Sequence, residues 1–260
     1  MRILAGAQGR AEPLPARAKS PAFRCLNQTP FKASRLTFGQ SALSADMLAT
    51  TMVDKITSWK FSEDFAQESE VILRARARAA ELGIESITPS VGSQLALLVS
   101  IAQAKSVVEV GTGAGVSGLW LLSGNDHVVL ASIESDAEHF SAAKLAFAEA
   151  KIETSRLRLI NGKSLDVLAN LADAAYDLVL LDADLATLAE QILEASRILR
   201  PGGVLAISHA LWRDRVPDPA MRDDNTAVYR DVLRRFSESQ DFVVSLLPIG
   251  DGLLLASRRG

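Results

Sequence analysis

Five short apolar runs recur along the chain, at 106–110, 128–133, 156–160, 176–181 and 203–207, each rich in Val, Leu and Ile. The stretches between them, at 115–123, 136–150, 163–171 and 185–199, have the length and spacing of helices. Buried strands alternating with helices predict a mainly parallel sheet covered on both faces. Two helices precede this alternation. The first is expected from an N-cap at Ser62, with Phe65, Val71, Ile72 and Leu73 as apolar positions and Gly83 as the stop. The second starts at Thr88-Pro89, where cap and N1 proline agree, and runs through Leu95, Leu97, Leu98 and Ile101. The end of the chain breaks the rhythm. After a helix near 222–237, two apolar runs at 242–249 and 253–256 are joined by Gly250-Asp251-Gly252, a tight turn that predicts a hairpin and an antiparallel last strand. Five strand–helix units followed by a hairpin give seven strands.

Residues 1–50 do not share this pattern. They are rich in Ala, Arg, Ser and Pro, with prolines at 13, 15, 21 and 30 and no sustained period. We expect a disordered extension there, or a start site called too early, with translation beginning at Met47 or Met52; an Arg-rich targeting segment is the third reading. The folded domain is expected over 55–260. Charge divides the same way: residues 1–46 hold seven basic and two acidic side chains, the remainder 21 and 29. An acidic folded part is a poor counterion for phosphate backbones, so nucleic acid is not the expected partner and a small molecule is. No apolar run has the length of a membrane-spanning helix, and no membrane partner is expected. A single cysteine, Cys25, excludes an internal disulfide and a cysteine zinc cluster, which agrees with a cytoplasmic setting.

The chemistry concentrates where the first strand of the alternation ends. Gly111, Gly113 and Gly115 follow the run 107–110 at once. Glycines allow a sharp turn and a close approach of ligand to backbone, and the free N–H groups of the next helix face that ligand. Gly118, one turn later, lets this helix pack closely on the sheet. The pattern G-x-G-x-x-G matches from Gly113 to Gly118, but alone it is a weak signal. Glu109 is sharper. A carboxylate at the sheet's carboxyl edge suits a cationic amino-acid ligand, such as the methionine part of S-adenosylmethionine (SAM), and would repel a pyrophosphate. Glu134 ends the second strand about 20 positions after the loop, where an acidic side chain accepts hydrogen bonds from a ribose diol. Asp136 is placed to cap the following helix.

These residues carry a resemblance. The run 107–115, the strand Tyr176-Asp177-Leu178-Val179-Leu180-Leu181-Asp182-Ala183-Asp184, the turn Arg200-Pro201-Gly202-Gly203 and the ending Leu247-Pro248-Ile249-Gly250-Asp251-Gly252-Leu253 resemble the class I SAM-dependent O-methyltransferases of the catechol and caffeoyl-CoA type. So does Thr88-Pro89-Ser90-Val91-Gly92, and the likeness spans roughly residues 60–258. It implies a Rossmann-like α/β fold in three layers, α/β/α, with a seven-stranded sheet and an antiparallel terminal hairpin. It implies SAM as cofactor, a small-molecule hydroxyl as methyl acceptor, and a homodimer. It also implies contacts: Val91 lining the pocket; Glu109, Gly111, Thr112, Gly113, Gly115 and Ser117 at the methionine end; Glu134 and Ser135 at the ribose. Lys163 and Ser164 fall at the adenine edge, although the family usually has an acidic residue where Lys163 stands. Asp182 and Asp184 fall between cofactor and acceptor.

The sequence departs from the family at the catalytic end. The family holds one divalent ion with an aspartate at the position of Asp182 and an Asp-Asn pair ending the fifth strand. Here that pair is Ser208-His209, the family's lysine base is Leu185, and the acceptor-binding position of the catechol enzymes is Leu254. Serine is a weak ligand, and imidazole suits transition metals better than magnesium. Three readings follow. His209 or Asp182 takes the acceptor proton without a metal, which the titration range of histidine favours; or Asp182 and His209 hold a different metal; or SAM is bound and catalysis is weak or lost. We expect the first, with no metal ligand assigned. An NAD(P)-dependent oxidoreductase shares the glycine loop and Glu134 and is the rival class. His127 and His139 have no ligand spacing and are expected at the surface. The helix over 62–82 and the loop 213–224 are expected to shape the acceptor pocket.

Overall fold

The sheet is built in the order β3-β2-β1-β4-β5-β7-β6. Its strands are β1 (Ser106–Val110), β2 (Val129–Glu134), β3 (Leu157–Asn161), β4 (Tyr176–Leu181), β5 (Leu199–Ile207), β6 (Phe242–Leu247) and β7 (Leu253–Arg258). The structure, a computed structural model, describes residues 45–182 and 185–260, with side chains from residue 55 onward. Strands β1 to β5 are parallel, and β7 runs antiparallel between β5 and β6. The expected seven-stranded sheet with its terminal hairpin is therefore present. Order reverses at β1, which lies between β2 and β4, so a crevice opens at the carboxyl ends of β1 and β4.

Strand alternation sorts the core into two layers. Val107, Leu130, Leu178 and Leu180 face α2 (Glu70–Glu81), α3 (Pro89–Ile101), α4 (Val116–Ser123) and α5 (Ala137–Glu149). Val108, Val110, Val179, Leu181, Leu205 and Ile207 face α6 (Ser164–Leu168), α7 (Leu188–Ile198) and α8 (Asp224–Glu238). Both faces of the parallel strands are covered, which is why they read as continuous apolar runs. Asp177 ties the start of β1 to β4: its Oδ2 accepts the N–H groups of Lys105 at 2.7 Å and Ser106 at 2.8 Å, and Oδ1 pairs with Arg200.

Several expected boundaries are corrected. The helix expected from Ser62 is two helices, α1 (Ala45–Phe65) and α2, so helical structure begins before residue 55. Ser62 lies inside α1, where its Oγ donates to the Ser58 carbonyl at 3.0 Å and so cannot cap. Ser69 caps α2 instead, accepting from Ile72 N–H. Thr88 precedes Pro89 at the start of α3 as expected, but its hydroxyl pairs with Ser90 Oγ and caps nothing. Asp136 does cap α5, accepting from Glu138 and His139 N–H. Helix α7 starts at Leu188, after a 3-10 turn at Leu185–Thr187. Asp184 lies outside the described residues, as does the expected tail up to residue 44. Strand β5 begins at Leu199, before the run expected from 203: Arg200 to Gly203 extend it through a register shift opposite Tyr176 and Leu178.

Candidate functional site

The glycine loop is possible only because three of its residues adopt positive φ: 90° at Gly111, 53° at Gly113 and 91° at Gly115. A side chain at any of them would be strained. The loop turns the chain from β1 into α4 and leaves backbone N–H groups at the helix start. Beneath it Gly118 does what its position implied. A Cβ there would stand 2.7 Å from the Phe147 ring and 3.0 Å from Glu109 Oε2.

Glu109 is fully buried, because strand alternation turns it under α4 and not outward. Ser132 Oγ donates to its Oε2 at 2.5 Å, and Ser132 is paired in turn with Thr112 Oγ1 at 2.6 Å. Oε1 has no partner. Burial pushes this carboxyl up to about 7, against the hydrogen bonds of Ser117 and Ser132, and the negative charges of Asp182 and Glu134 push the same way as burial. Glu134 is better satisfied: Oε2 accepts Gly113 N–H at 2.8 Å and Oε1 accepts Asp136 N–H at 2.9 Å. The acid at the end of β2 thus also fixes the glycine loop.

A cavity of about 620 Å³ opens over the loop, within the range of small-molecule sites. Of the sequence-predicted residues, Gly111, Thr112, Gly113, Ser117, Glu134, Ser135, Lys163, Ser164 and Asp182 line it. Four others do not reach its wall. Val91 is buried in the core beside Gly250, Gly115 packs against Ala143 and Ala146, Glu109 lies behind the loop, and His209 stands beyond Asp182. Sequence reasoning missed Ile84 to Ile87, Gly162, Leu165, Thr187 and Gln191, which come from connecting loops, from α6, from the 3-10 turn and from α7. It also placed His139 at the surface, whereas His139 is half-buried and lines the cavity. No spacing rule marks such positions, since they meet only after the sheet is assembled. The helix expected to shape the acceptor side does not touch the cavity; the segment after it, Ile84 to Ile87, does.

Asp182 follows β4, held by its N–H to the Val110 carbonyl at 2.9 Å. Ser208 Oγ donates to its Oδ1, and His209 Nε2 stands 3.4 Å from the same oxygen. His209 has a positive φ of 54°, so the chain leaves β5 in a strained turn that directs the imidazole. Its Nδ1 is 3.2 Å from Asp251 Oδ2, and Asp251 Oδ1 accepts Arg213 N–H at 2.5 Å. Asp251, at the hairpin turn, is a further site residue that the sequence did not single out. Burial raises the Asp182 carboxyl above its ordinary value, opposed by His209 and Ser208 and reinforced by Glu85. Burial likewise keeps the Tyr229 phenol neutral, its hydroxyl donating to the Ser208 carbonyl at 3.4 Å. At the rim Arg213 pairs with Glu85 at 2.7 Å and lies 5.5 Å from the Trp212 ring.

The donor set suits one of the two ligands that the resemblance implies and not the other. A cationic nucleoside fits: the cavity has the size, two buried carboxylates lie at or behind one end, and hydroxyl and amide groups lie at the other. A magnesium ion does not. Asp182 is already taken by Ser208 and faces an imidazole whose other nitrogen is held by Asp251. Among the described residues no group of three His, Cys, Asp or Glu side chains is arranged to hold an ion.

The family model described as O-methyltransferase matches residues 62–259. A Mycobacterium ulcerans protein, provisionally named an O-methyltransferase, is 44% identical over 198 residues, 76% of this chain and 88% of that one. A Mycobacterium tuberculosis protein of the same provisional kind is 44% identical over 201 residues, 77% of this chain and 90% of that one. Among solved structures, a Corynebacterium glutamicum protein is similar at 27% identity and a TM-score of 0.73, over 79% of this chain and 98% of the other. The O-methyltransferase TomG of Streptomyces achromogenes, involved in tomaymycin synthesis and solved in complex with SAM, is similar at 25% identity and a TM-score of 0.69, over 77% and 95%.

Proposed function

The chain belongs to the O-methyltransferase family and is a SAM-dependent O-methyltransferase; from that premise we propose that it methylates a hydroxyl of a small molecule without a divalent ion, with Asp182 and His209 handling the acceptor's proton. Membership of the family sets aside the oxidoreductase alternative. The observation that carries the metal-free reading is the occupation of the ion's place by Ser208 and His209, both turned onto Asp182.

Bound SAM supplies an electrophilic methyl group on a sulfonium. The residues of the chain do the rest. Gly111, Thr112, Gly113 and Ser117 hold the amino-acid end, with Glu109 behind them as a buried counter-charge acting through Ser117 and Ser132. Glu134 and Ser135 hold the ribose, and Lys163 and Ser164 flank the adenine. Val91 and Gly115 support this wall from the core. Asp182 lines the cavity and His209 stands behind it, with Nδ1 held against Asp251 and Nε2 3.4 Å from Asp182 Oδ1. With SAM bound, the acceptor's O–H bond would break toward the carboxylate of Asp182, which lines the cavity, as its oxygen took the methyl carbon and the carbon–sulfur bond broke to leave S-adenosylhomocysteine; His209 behind Asp182 would position and stabilise that carboxylate. Ser208 donates to Asp182 and holds it in place.

The test is transfer of radiolabelled methyl from SAM to a panel of phenols and catechols, with and without EDTA, for wild type and His209→Ala. Activity is expected to survive chelation and to fall on the order of a hundredfold in the variant. Loss of wild-type activity in EDTA overturns the metal-free reading; SAM binding with no transfer to any acceptor favours a binding protein that has lost catalysis. We place the protein in the cytoplasm, which its single cysteine suits. We also propose that it works as a homodimer, supported by the exposed Val243, Val244 and Leu246 of the edge strand β6.

A further inference from the structure

Helix α1 lies mostly ahead of the segment that the family model matches, yet it reaches the hairpin turn beside the candidate catalytic pair. Near its end Glu63 accepts the N–H of Gly250 through Oε1 at 2.7 Å, across 187 positions of sequence. Gly250 opens the turn Gly250-Asp251-Gly252, with φ of 54° at Gly250 and 86° at Gly252. A glycine on each side gives Asp251 little local restraint, so its direction must be imposed by neighbours. On one side the connection from β5 to α8 does this: the carbonyls of Asp251 and Gly252 accept the N–H groups of Leu211 at 2.9 Å and Ala210 at 3.0 Å. On the other side the turn lies against the start of α3, where a Cβ on Gly250 would stand 2.8 Å from both Thr88 Oγ1 and Val91 Cγ2. Glu63 pins the turn there.

What the turn holds is the imidazole. Asp251 Oδ2 is 3.2 Å from His209 Nδ1, and His209 Nε2 is 3.4 Å from Asp182 Oδ1. The side chains of Asp251, His209 and Asp182 are 16%, 17% and 14% exposed, so water has little room to stand in for a displaced partner. A small movement of the turn therefore passes to His209 and from it to Asp182. We infer that Glu63 is a positioning residue for methyl transfer: it braces the hairpin turn from α1, keeps Asp251 on His209, and so holds the carboxylate of Asp182 in its reactive direction. This assignment rests on the reading of Asp182 and His209 given above. A Glu63 that only ties α1 to the sheet would leave the imidazole indifferent to its loss.

The experiment is a double-mutant cycle of Glu63→Ala with Asp251→Asn in the full chain. It is read by kcat, by S-adenosylhomocysteine affinity and by the imidazole NMR signals. The chain has three histidines, and the signal missing from His209→Ala identifies His209. Glu63→Ala is expected to lower kcat on the order of tenfold, with S-adenosylhomocysteine affinity little changed. It should move the His209 signal, as Asp251→Asn does, and leave those of His127 and His139 in place. In the Asp251→Asn background the same substitution should cost close to nothing, since residues that act through one contact are not additive. Glu63→Gln keeps the acceptor and should restore kcat. Glu63→Asp keeps the charge but falls one methylene short, so it should behave as the alanine variant does; it carries the test if Glu63→Ala does not fold. Additive losses overturn the assignment, and so does an unmoved His209 signal. Rescue by aspartate and not by glutamine overturns it as well, because the charge and not the bond would then act. If wild type loses activity in EDTA while the cycle is non-additive, the metal-free reading falls and the brace stands. A wild type without activity on any acceptor sinks the catalytic reading, and the His209 signal then upholds or overturns the brace by itself.

Discussion

Glu109 shows how far one residue can be read. Its place before the glycine loop marked it as a counter-charge for a cation, and the structure adds that it is sealed from water with one oxygen unpaired. Its carboxyl is raised from 4.5 to about 7, so the native state keeps a proton that the unfolded chain loses. The stability this contributes is complete below about pH 4.5 and disappears as the pH rises through 7. Glu109→Gln should therefore lose less stability than wild type between pH 5 and 8, by on the order of 3 kcal/mol, read from thermal unfolding at the two pH values. A cation bound near the loop favours the ionised form. SAM binding at pH 7 should release a proton, seen as a dependence of the binding heat on buffer ionisation, and Glu109→Gln should reduce that release. Asp251 is the residue at this scale that sequence spacing did not reveal. It is 42 positions from His209 and meets it only when β7 slots beside β5. If it holds the imidazole in place, Asp251→Asn should lower kcat on the order of tenfold or more and alter its pH profile, with S-adenosylhomocysteine affinity little changed.

At the scale of elements, periodicity was a reliable guide where a segment packs on the sheet and a poor one at its ends. Apart from the early start of β5 at Leu199, the strand runs emerged within a residue or two, because burial on both faces keeps most of their positions apolar. The first helix was misplaced because Ser62 and Ser69 are both plausible caps by residue type. The choice is made by their surroundings: Ser62 continues a helix and back-bonds to Ser58, whereas Ser69 ends the break after α1, next to Glu68, which is held by Arg76 and Trp120. Helix α4 is set by its glycine. Gly118→Ala would drive a methyl into Phe147 and Glu109, neither of which can withdraw without disturbing the core. We expect a loss of about 1–3 kcal/mol in denaturant unfolding, together with weaker cofactor binding, because α4 carries the loop.

For the whole molecule, the sheet order places the carboxyl ends of the parallel strands β1 to β5 along one rim, and the cavity sits where the order reverses. The other edge ends in β6, whose exposed Val243, Val244 and Leu246 leave an apolar edge open to pairing. Sedimentation should find a dimer, and Leu246→Glu should shift it toward monomer while costing no more than about 0.5 kcal/mol of stability, as expected for a surface substitution. The sequence by itself determined the class of fold, the glycine turn and the nucleoside character of the site. Those depend on local needs: positive φ at Gly111, Gly113 and Gly115, unbroken apolar strands, and an acid at the end of β2. Only the tertiary structure decided which groups face one another across the chain. It put Glu109 behind the loop, closed Ser208 and His209 onto Asp182, brought Asp251 to the imidazole and packed Gln191 against Ser164. Those contacts join residues tens of positions apart, and no local preference of either partner encodes them; they exist because two layers of helices press on one twisted sheet and its loops must then share a single rim.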